Sequence, residues 1–228
     1  MSKISIAIPT WDYKGHGVSV LTYSFSKINL QRFRDFEVVI SDDSEGDDIE
    51  NLCKIWSSFF KINYYKNEFK KGAASNSNHV ISKCTTEIIK LICQDDFLVG
   101  ENSLEIIVDN FDKDTNWMFT EYAHTKDRKE FYRWYVPQWN PNIQLINTLG
   151  TPSGLTIRNL PNLPKFDSKL KYFYDACYYR EMYDLFGEPK IIPYVTMVNY
   201  IWNESITSSL TSQEYYDEVK YIQEKYAK

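Results

Sequence analysis

The sequence predicts an α/β fold built on a Rossmann-type, mostly parallel sheet flanked by helices. Three observations carry that expectation. Short apolar runs at 4–8, 36–40, 62–65 and 88–93 alternate with stretches of helical spacing, the order of a parallel sheet. The runs are nearly continuous in apolar residues, as strands covered on both faces must be. Polar clusters sit at the carboxyl ends of the runs, where such sheets bind ligands.

Each element follows from local pattern. Ile4 to Ile8 is closed by Pro9 and reads as a buried strand. Gly15 and Gly17 loosen the loop after it, and Val18, Leu21, Phe25 and Ile28 then repeat near helical spacing. Phe36 to Ile40 is a second β-branched run, ending in Ser41-Asp42-Asp43-Ser44. Asp47 to Phe60 reads as a helix that turns Ile49, Leu52, Ile55, Trp56 and Phe59 inward. Ile62 to Tyr65 is a third strand and Asn76 to Cys84 a further helix. Ile88 to Cys93 is a fourth strand, met at once by Gln94-Asp95-Asp96.

The second half is patterned differently. Ser103 to Phe111 is helical, with Leu104, Ile107, Val108 and Phe111 on one face, and Trp117 to Tyr122 is extended. Asp127 to Asn147 is rich in aromatics, Pro and Asn and has no clear period. A turn at Gly150 to Ser153 precedes a short strand at Gly154 to Ile157. Tyr172 to Phe186 is helical and stops at Gly187, with Pro189 beyond it. Ile191 to Trp202 is extended, and Ser212 to Tyr226 is a terminal amphipathic helix. One domain over 1–228 is expected, its pattern dividing it into a half at 1–100, a half at 101–205 and a packing helix at 206–228.

Composition narrows the function classes. The chain has 228 residues, 43% hydrophobic and 25% charged, with a net charge of −5. No basic face is apparent, so nucleic acid is not the expected partner. Cys53, Cys84, Cys93 and Cys177 form no zinc pattern with the three histidines and suit reduced thiols in the cytoplasm. The stretch before Pro9 is too short and polar for a signal peptide, and no run approaches the ~20 apolar residues of a membrane span. Any lipid-linked ligand would therefore be met at a membrane surface, or through a partner.

Carboxylates dominate the strand ends. Asp95 and Asp96, with Asp42 and Asp43 from a neighbouring strand, concentrate negative charge that a cation or hydrogen-bond donors must relieve. Mg²⁺ or Mn²⁺ suits carboxylate and phosphate oxygens. From spacing alone an Asp-Asp pair can equally turn the chain, and Asp42 or Asp43 can cap the helix near Asp47. Trp11 can hold a base or edge the core. Asp175, early in a helix among Tyr172, Phe173 and Tyr174, is a candidate general base or a helix-start acid. Tyr132, Trp134, Tyr135 and Trp139 could stack on sugar faces or pack a surface loop. His124 reads as a satisfied histidine.

Three blocks together resemble family 2 glycosyltransferases of the GT-A fold: Ile4 to Trp11, Phe36 to Ser44, and Ile89 to Leu98. Gly150-Thr151-Pro152-Ser153 and the stretch from Phe166-Asp167 to Asp175 resemble the acceptor half of that family. The resemblance implies a GT-A-like sheet with a smaller acceptor-side lobe. It implies a nucleotide-sugar donor contacted by Pro9, Trp11, Asp43, Asn78 and Asp95, a Mn²⁺ or Mg²⁺ on Asp96, and Asp175 as the base of an inverting displacement. The acceptor would be a carbohydrate or lipid-linked glycan in polysaccharide synthesis. The pattern departs from the family at three places. Cys93 stands where the first Asp of Asp-x-Asp-Asp is common, giving the Gln-Asp-Asp variant. Ser77 replaces the usual Arg before Asn78, and the stretch 199–203 holds no histidine, with Asn203 a weak substitute as metal ligand. The rival readings are a sugar-1-phosphate nucleotidyltransferase, for which Gly15-His16-Gly17 is too sparse a phosphate loop, and a non-catalytic nucleotide-sugar-binding module.

Overall fold

A computed structural model describes residues 2–68, 71–202 and 211–227. The first half runs β1 (Ile4–Thr10), α1 (Gly17–Asn29), β2 (Phe36–Asp42), α2 (Asp48–Trp56), β3 (Ile62–Lys66), α3 (Ala73–Lys83) and β4 (Ile88–Leu91). The second half runs β5 (Phe97–Leu98), α4 (Ser103–Asn110), β6 (Trp117–Thr125), β7 (Phe131–Tyr135), β8 (Leu155–Arg158), α5 (Tyr174–Phe186), β9 (Lys190–Tyr200) and α6 (Ser212–Lys225).

One sheet contains every strand, in the order β3-β2-β1-β4-β8-β6-β9-β5, with β7 added to β6. The first four strands are mutually parallel. Beyond them β8 is antiparallel to both β4 and β6, while β9 returns parallel to β6. The chain reverses its direction of travel across the sheet at β1, which lies between β2 and β4. Such a switch point opens a crevice beyond the strand ends.

The near-continuous apolar runs have a direct explanation. Ile4, Ile6 and Ile8 enter a core under α1, α2 and α4, while Ala7 enters the opposite core under α3 and α5. Val38 and Ile40 likewise oppose Val39, and Ile88 and Ile92 oppose Ile89 and Leu91. Alternate side chains point to opposite faces, so a strand buried twice needs apolar residues at every position. A third cluster joins the start of α5 to α6 through Leu170, Phe173, Cys177 and Ile222.

Several expectations are corrected. The helix at 48–56 ends before Phe59, which is 54% exposed, and turns Ile55 outward at 65%, while Cys53 and Phe60 fill the core instead. Trp56 and Phe60 meet Phe25 edge-on, which fixes that corner. Strand β6 continues to Thr125 because β7 and β9 pair with its far end. Strand β7 lies in the stretch without a period: aromatics stand on both of its faces, so no alternation marks it. As expected, α5 ends at Gly187 with φ 76°, whose N–H reaches the Tyr183 carbonyl at 2.8 Å. All four cysteines are free. Among the described residues no helix is long and apolar enough to cross a membrane.

Candidate active site

The crevice at the strand ends is a cleft of about 1610 Å³. One wall comes from the ends of β1, β2 and β4 and the start of α3. The other comes from the turn at 150–152, the segment 168–173, the start of α5, and Tyr215 of α6.

Pro9, Trp11, Asp43, Asp95, Asp96 and Asp175 all line this cleft. Asn78 does not. Its side chain donates to the Phe166 carbonyl and accepts from the Phe166 N–H, both at 2.8 Å, and so pins a distant loop to α3. The correction has a helical cause. Asn76 and Asn78 stand two positions apart, roughly 200° around the axis, so only one faces β1 and β2. Asn76 is that one, donating to the carbonyls of Thr10 and Ser41.

The wall at the strand ends is held by side chains that bridge those ends. Gln94 accepts from the Trp11 N–H at 2.8 Å and donates to the Trp11 carbonyl at 2.9 Å. This fixes the backbone and leaves the indole 47% exposed, tilted against Tyr13. The two aspartates after β2 divide the ambiguity between them. Asp42 is fully buried and binds Tyr64 Oη at 2.7 Å and Lys66 Nζ at 3.2 Å, so it is a structural ion pair. Asp43 accepts from Asn67 Nδ2 at 2.7 Å and the Gly72 N–H at 2.8 Å at the cleft edge. Neither caps α2, whose N-terminus has no side-chain cap. Burial raises the Asp43 carboxyl above its ordinary value, against the pull of Gly72 and Asn67.

The acid pair lies at the floor. Asp95 accepts from Trp202 Nε1 at 2.9 Å. Asp96 Oδ1 accepts from Asn199 Nδ2 and the Tyr200 N–H, both at 2.9 Å, and Oδ2 accepts a longer bond from Thr151 Oγ1 at 3.4 Å. The stretch of β9 without a histidine thus supplies the groups that aim the acid pair. Burial, then the charge of Asp95, pushes the Asp96 carboxyl well up. Such a pair gains from a cation. Among the described residues no group of three or more His, Cys, Asp or Glu forms a metal cage, and Asn203 lies outside those residues. The fit is instead to an ion such as Mg²⁺ or Mn²⁺ that takes one or two carboxylates and completes its shell with phosphate oxygens and water.

Beneath the pair lies Lys90, fully buried in β4, donating to the carbonyls of Ser153 and Leu155. Burial pulls its ammonium down to about 7, opposed by the charge of Asp96. It anchors the turn at 150–153. Gly150 in that turn has φ +85°, and a Cβ there would sit 2.0 Å from Tyr122 Oη, so glycine is required twice over.

Asp175 opens onto the same cleft from the first turn of α5. It accepts from its neighbour Ala176 N–H at 2.6 Å and from Asn147 Nδ2 at 3.0 Å. Burial pushes its carboxyl up to about 7, so it holds or releases a proton near neutrality. Asn147 and Leu145 are the parts of the aperiodic segment that reach the cleft. Tyr132, Trp134, Tyr135 and Trp139 do not line it. Trp139 stacks on Tyr183 at 4.4 Å and Tyr135 on Tyr122 at 4.8 Å. His124 is buried, with Nδ1 2.7 Å from the Arg133 carbonyl.

Sequence reasoning missed Asn76, Gln94, Asn147, Asn199 and Trp202. They are amides and an indole whose partners lie far along the chain, and no spacing announces them.

A parallel-to-mixed sheet with an acidic cleft at its switch point is the architecture of the GT-A class of α/β proteins. The sequence profile of glycosyl transferase family 2 matches residues 5–159, and the chain belongs to that family. A Campylobacter jejuni relative, GalNAc(5)-diNAcBac-PP-undecaprenol beta-1,3-glucosyltransferase, is 27% identical over 102 residues, 44% of this chain and 32% of the relative. S. aureus TarS residues 1–349, solved with UDP-GlcNAc, superposes with a TM-score of 0.71 at 15% identity over 96% of this chain and 65% of that one. The mannosyltransferase PcManGT of Pyrobaculum calidifontis, solved with GDP-Man and Mn²⁺, gives 0.64 at 15% identity over 90% and 58%. The two structures share the fold. The chain spans about a third of the Campylobacter enzyme (32%) and less than two thirds of either structure.

Proposed function

We propose that the chain transfers a sugar from a nucleotide diphospho-sugar to an acceptor hydroxyl, with inversion, in glycan synthesis. The observation that carries this reading is that Asp43, Asp96 and Asp175 open onto one cleft from opposite walls. Residues 1–100 then hold the donor, 101–205 the acceptor and the base, and the terminal helix packs behind them. Trp11 offers its exposed face to the base, and Asp43 accepts from a base N–H. Asp95 faces the ribose. A Mg²⁺ or Mn²⁺ held by Asp96 Oδ2 and the diphosphate would neutralise charge on the leaving nucleotide. Asp175 takes the proton of the acceptor hydroxyl as that oxygen attacks the anomeric carbon. Burial suits it to the task, because a carboxylate with a raised pKa is a stronger base. Positioning and preorganised charge supply the rest of the rate.

The names of the relatives support UDP- and GDP-sugars as the donors to try, and a lipid-linked glycan as one acceptor class. A cytoplasmic site of action, at a membrane surface if the acceptor is lipid-linked, follows from that reading. The test is a screen of nucleotide sugars with Mn²⁺ by thermal shift, then transfer or slow donor hydrolysis with the donor that stabilises. Pyrophosphate release from a nucleoside triphosphate and a sugar phosphate, with no turnover of any nucleotide sugar, would replace this reading by nucleotidyl transfer.

A further inference from the structure

Helix α5 begins without a side-chain cap of its own: Phe173 occupies the N-cap position and makes no capping bond. The first amides of a helix need acceptors. The amides that lead into α5, those of Lys171, Tyr172 and Phe173, find theirs on a residue 45 to 47 positions on. Glu218 of α6, 8% exposed, accepts from the Lys171 N–H at 2.6 Å and the Tyr172 N–H at 3.2 Å through Oε1. Through Oε2 it accepts from the Tyr172 and Phe173 N–H groups, both at 3.0 Å. A carboxylate at this end also meets the positive pole of the helix. The same helix grips the segment at a second point, where Asp167 accepts from Tyr221 Oη at 2.8 Å and Lys225 Nζ at 3.0 Å. Lys171, Tyr172 and Phe173 form cleft wall, and Asp175 follows two residues later.

We propose that Glu218 is a positioning residue: from another helix it clamps the three residues that lead into α5 and thereby fixes Asp175 at the cleft. The proposal rests on the glycosyl-transfer reading for its catalytic consequence, but not for the clamp itself. Its charge acts as well. The groups that sense Asp175 are Glu218 from α6, Tyr122 from β6, and Tyr174, Cys177 and Tyr179 from α5 itself, with the Asn147 amide donating to it. Of these Glu218 adds a negative charge that helps keep the Asp175 carboxyl high, after burial. By occupying the helix pole, Glu218 leaves Asp175 less stabilised as an anion and so more basic.

The experiment compares Glu218→Ala, Glu218→Gln and a control, Glu224→Gln, which makes the same charge change at an exposed site on α6. Three readouts are taken: amide exchange over 168–179, calorimetric affinity for UDP and GDP with Mn²⁺, and the pH profile of kcat. Glu218→Ala is expected to lose protection at Lys171 to Phe173 and at Ala176, about tenfold or more. Its kcat falls roughly 10- to 100-fold, as for a misplaced group, while nucleotide affinity stays within about twofold of wild type. Glu218→Gln keeps one acceptor oxygen but turns its NH2 toward a backbone N–H, so it retains only part of the protection and kcat. Its acid limb moves to lower pH, because removing the charge makes Asp175 easier to ionise. The control changes none of these. Wild-type protection and kcat in Glu218→Ala overturn the proposal. So does loss of nucleotide affinity and of protection across the whole fold, which marks general destabilisation. If Glu218→Ala does not fold, an unmoved acid limb in Glu218→Gln overturns it. A wild-type chain inactive with every donor, but unlocked at 171–176 by Glu218→Ala, sinks the transferase reading and leaves the clamp standing.

Discussion

The two walls of the cleft are built by different means. The donor wall is made of strand ends joined by crossovers, and its carboxylates stand just past those ends: Asp43 after β2, and Asp95 and Asp96 in the short turn after β4. The acceptor wall is assembled from the turn at 150–152, the segment 168–173, α5 and α6, held by partners far apart in sequence. Asn147 reaches Asp175 across 28 residues and Glu218 reaches Phe173 across 45, whereas on the donor wall Gln94 holds Trp11 across 83 and Asn199 holds Asp96 across 103 at positions the strand ends already place. A wall fixed by its own strands tolerates changes elsewhere. A wall fixed by distant clamps loses its geometry when any clamp goes. Binding and chemistry should therefore be separable by mutation.

The sharpest separation is Asp175→Asn. It removes the proton acceptor and leaves the donor wall intact. Transfer should fall by roughly 10²- to 10⁴-fold, the worth of a general base, while affinity for UDP or GDP with Mn²⁺ stays within about twofold. Rates and calorimetry on one preparation check both halves. Wild-type transfer by this variant would break the comparison, because the base would then lie elsewhere.

The converse change is Trp11→Ala on the donor wall. Its indole is half exposed at the mouth and its backbone is held by Gln94, so truncation removes a stacking face without loosening the strand. Base stacking on an aromatic contributes about 1–3 kcal/mol, so nucleotide affinity should weaken about 5- to 150-fold. At saturating donor kcat should hold. A fall in kcat with unchanged KM would place Trp11 on the chemical side instead.

Legibility follows the same division. In the donor half every strand and helix was readable, because burial on two faces writes itself as unbroken apolar runs. The acids that line the cleft were readable because each stands past a strand end or opens a helix. The helix at 48–56 was over-extended because Trp56, Phe59 and Phe60 continue the apolar count after the backbone has turned. In the acceptor half β7 was hidden by aromatics on both faces, and β5 by being two residues long. Glu218 was hidden most fully: on its own helix it reads as one more charge on the solvent side, and only the fold brings it to α5. Asn78 shows the opposite failure. The resemblance puts it at the donor, but the helix turns it to Phe166.

Asn78→Ala tests that correction. It strands the N–H and carbonyl of Phe166, both paired with its amide. Unpaired buried backbone groups cost about 1–3 kcal/mol, so the denaturation midpoint should drop accordingly. Nucleotide affinity should not change beyond about twofold. A variant of native stability that loses nucleotide would restore Asn78 to the donor site.

The smallest effect concerns stability and proton binding together. Burial raises the Asp175 carboxyl to about 7 in the folded chain, whereas it ionises near 3.9 when unfolded. Between those values the folded state holds the proton that the unfolded state has released. Stability from this group is therefore greatest below about pH 4 and declines as pH rises toward 7. Above that the fold carries a buried, incompletely relieved carboxylate. Because the side chain is partly open to the cleft, the penalty is only on the order of 1 kcal/mol after solvent screening. Asp175→Asn should remove it, so the variant should melt at about wild-type temperature at pH 5 and a few degrees higher at pH 8. The acid limb of kcat should lie in the same range, since only the ionised carboxyl accepts a proton. Equal melting at pH 5 and pH 8 would mean that cleft water already solvates the carboxylate. Its basicity would then have to come from Glu218 alone.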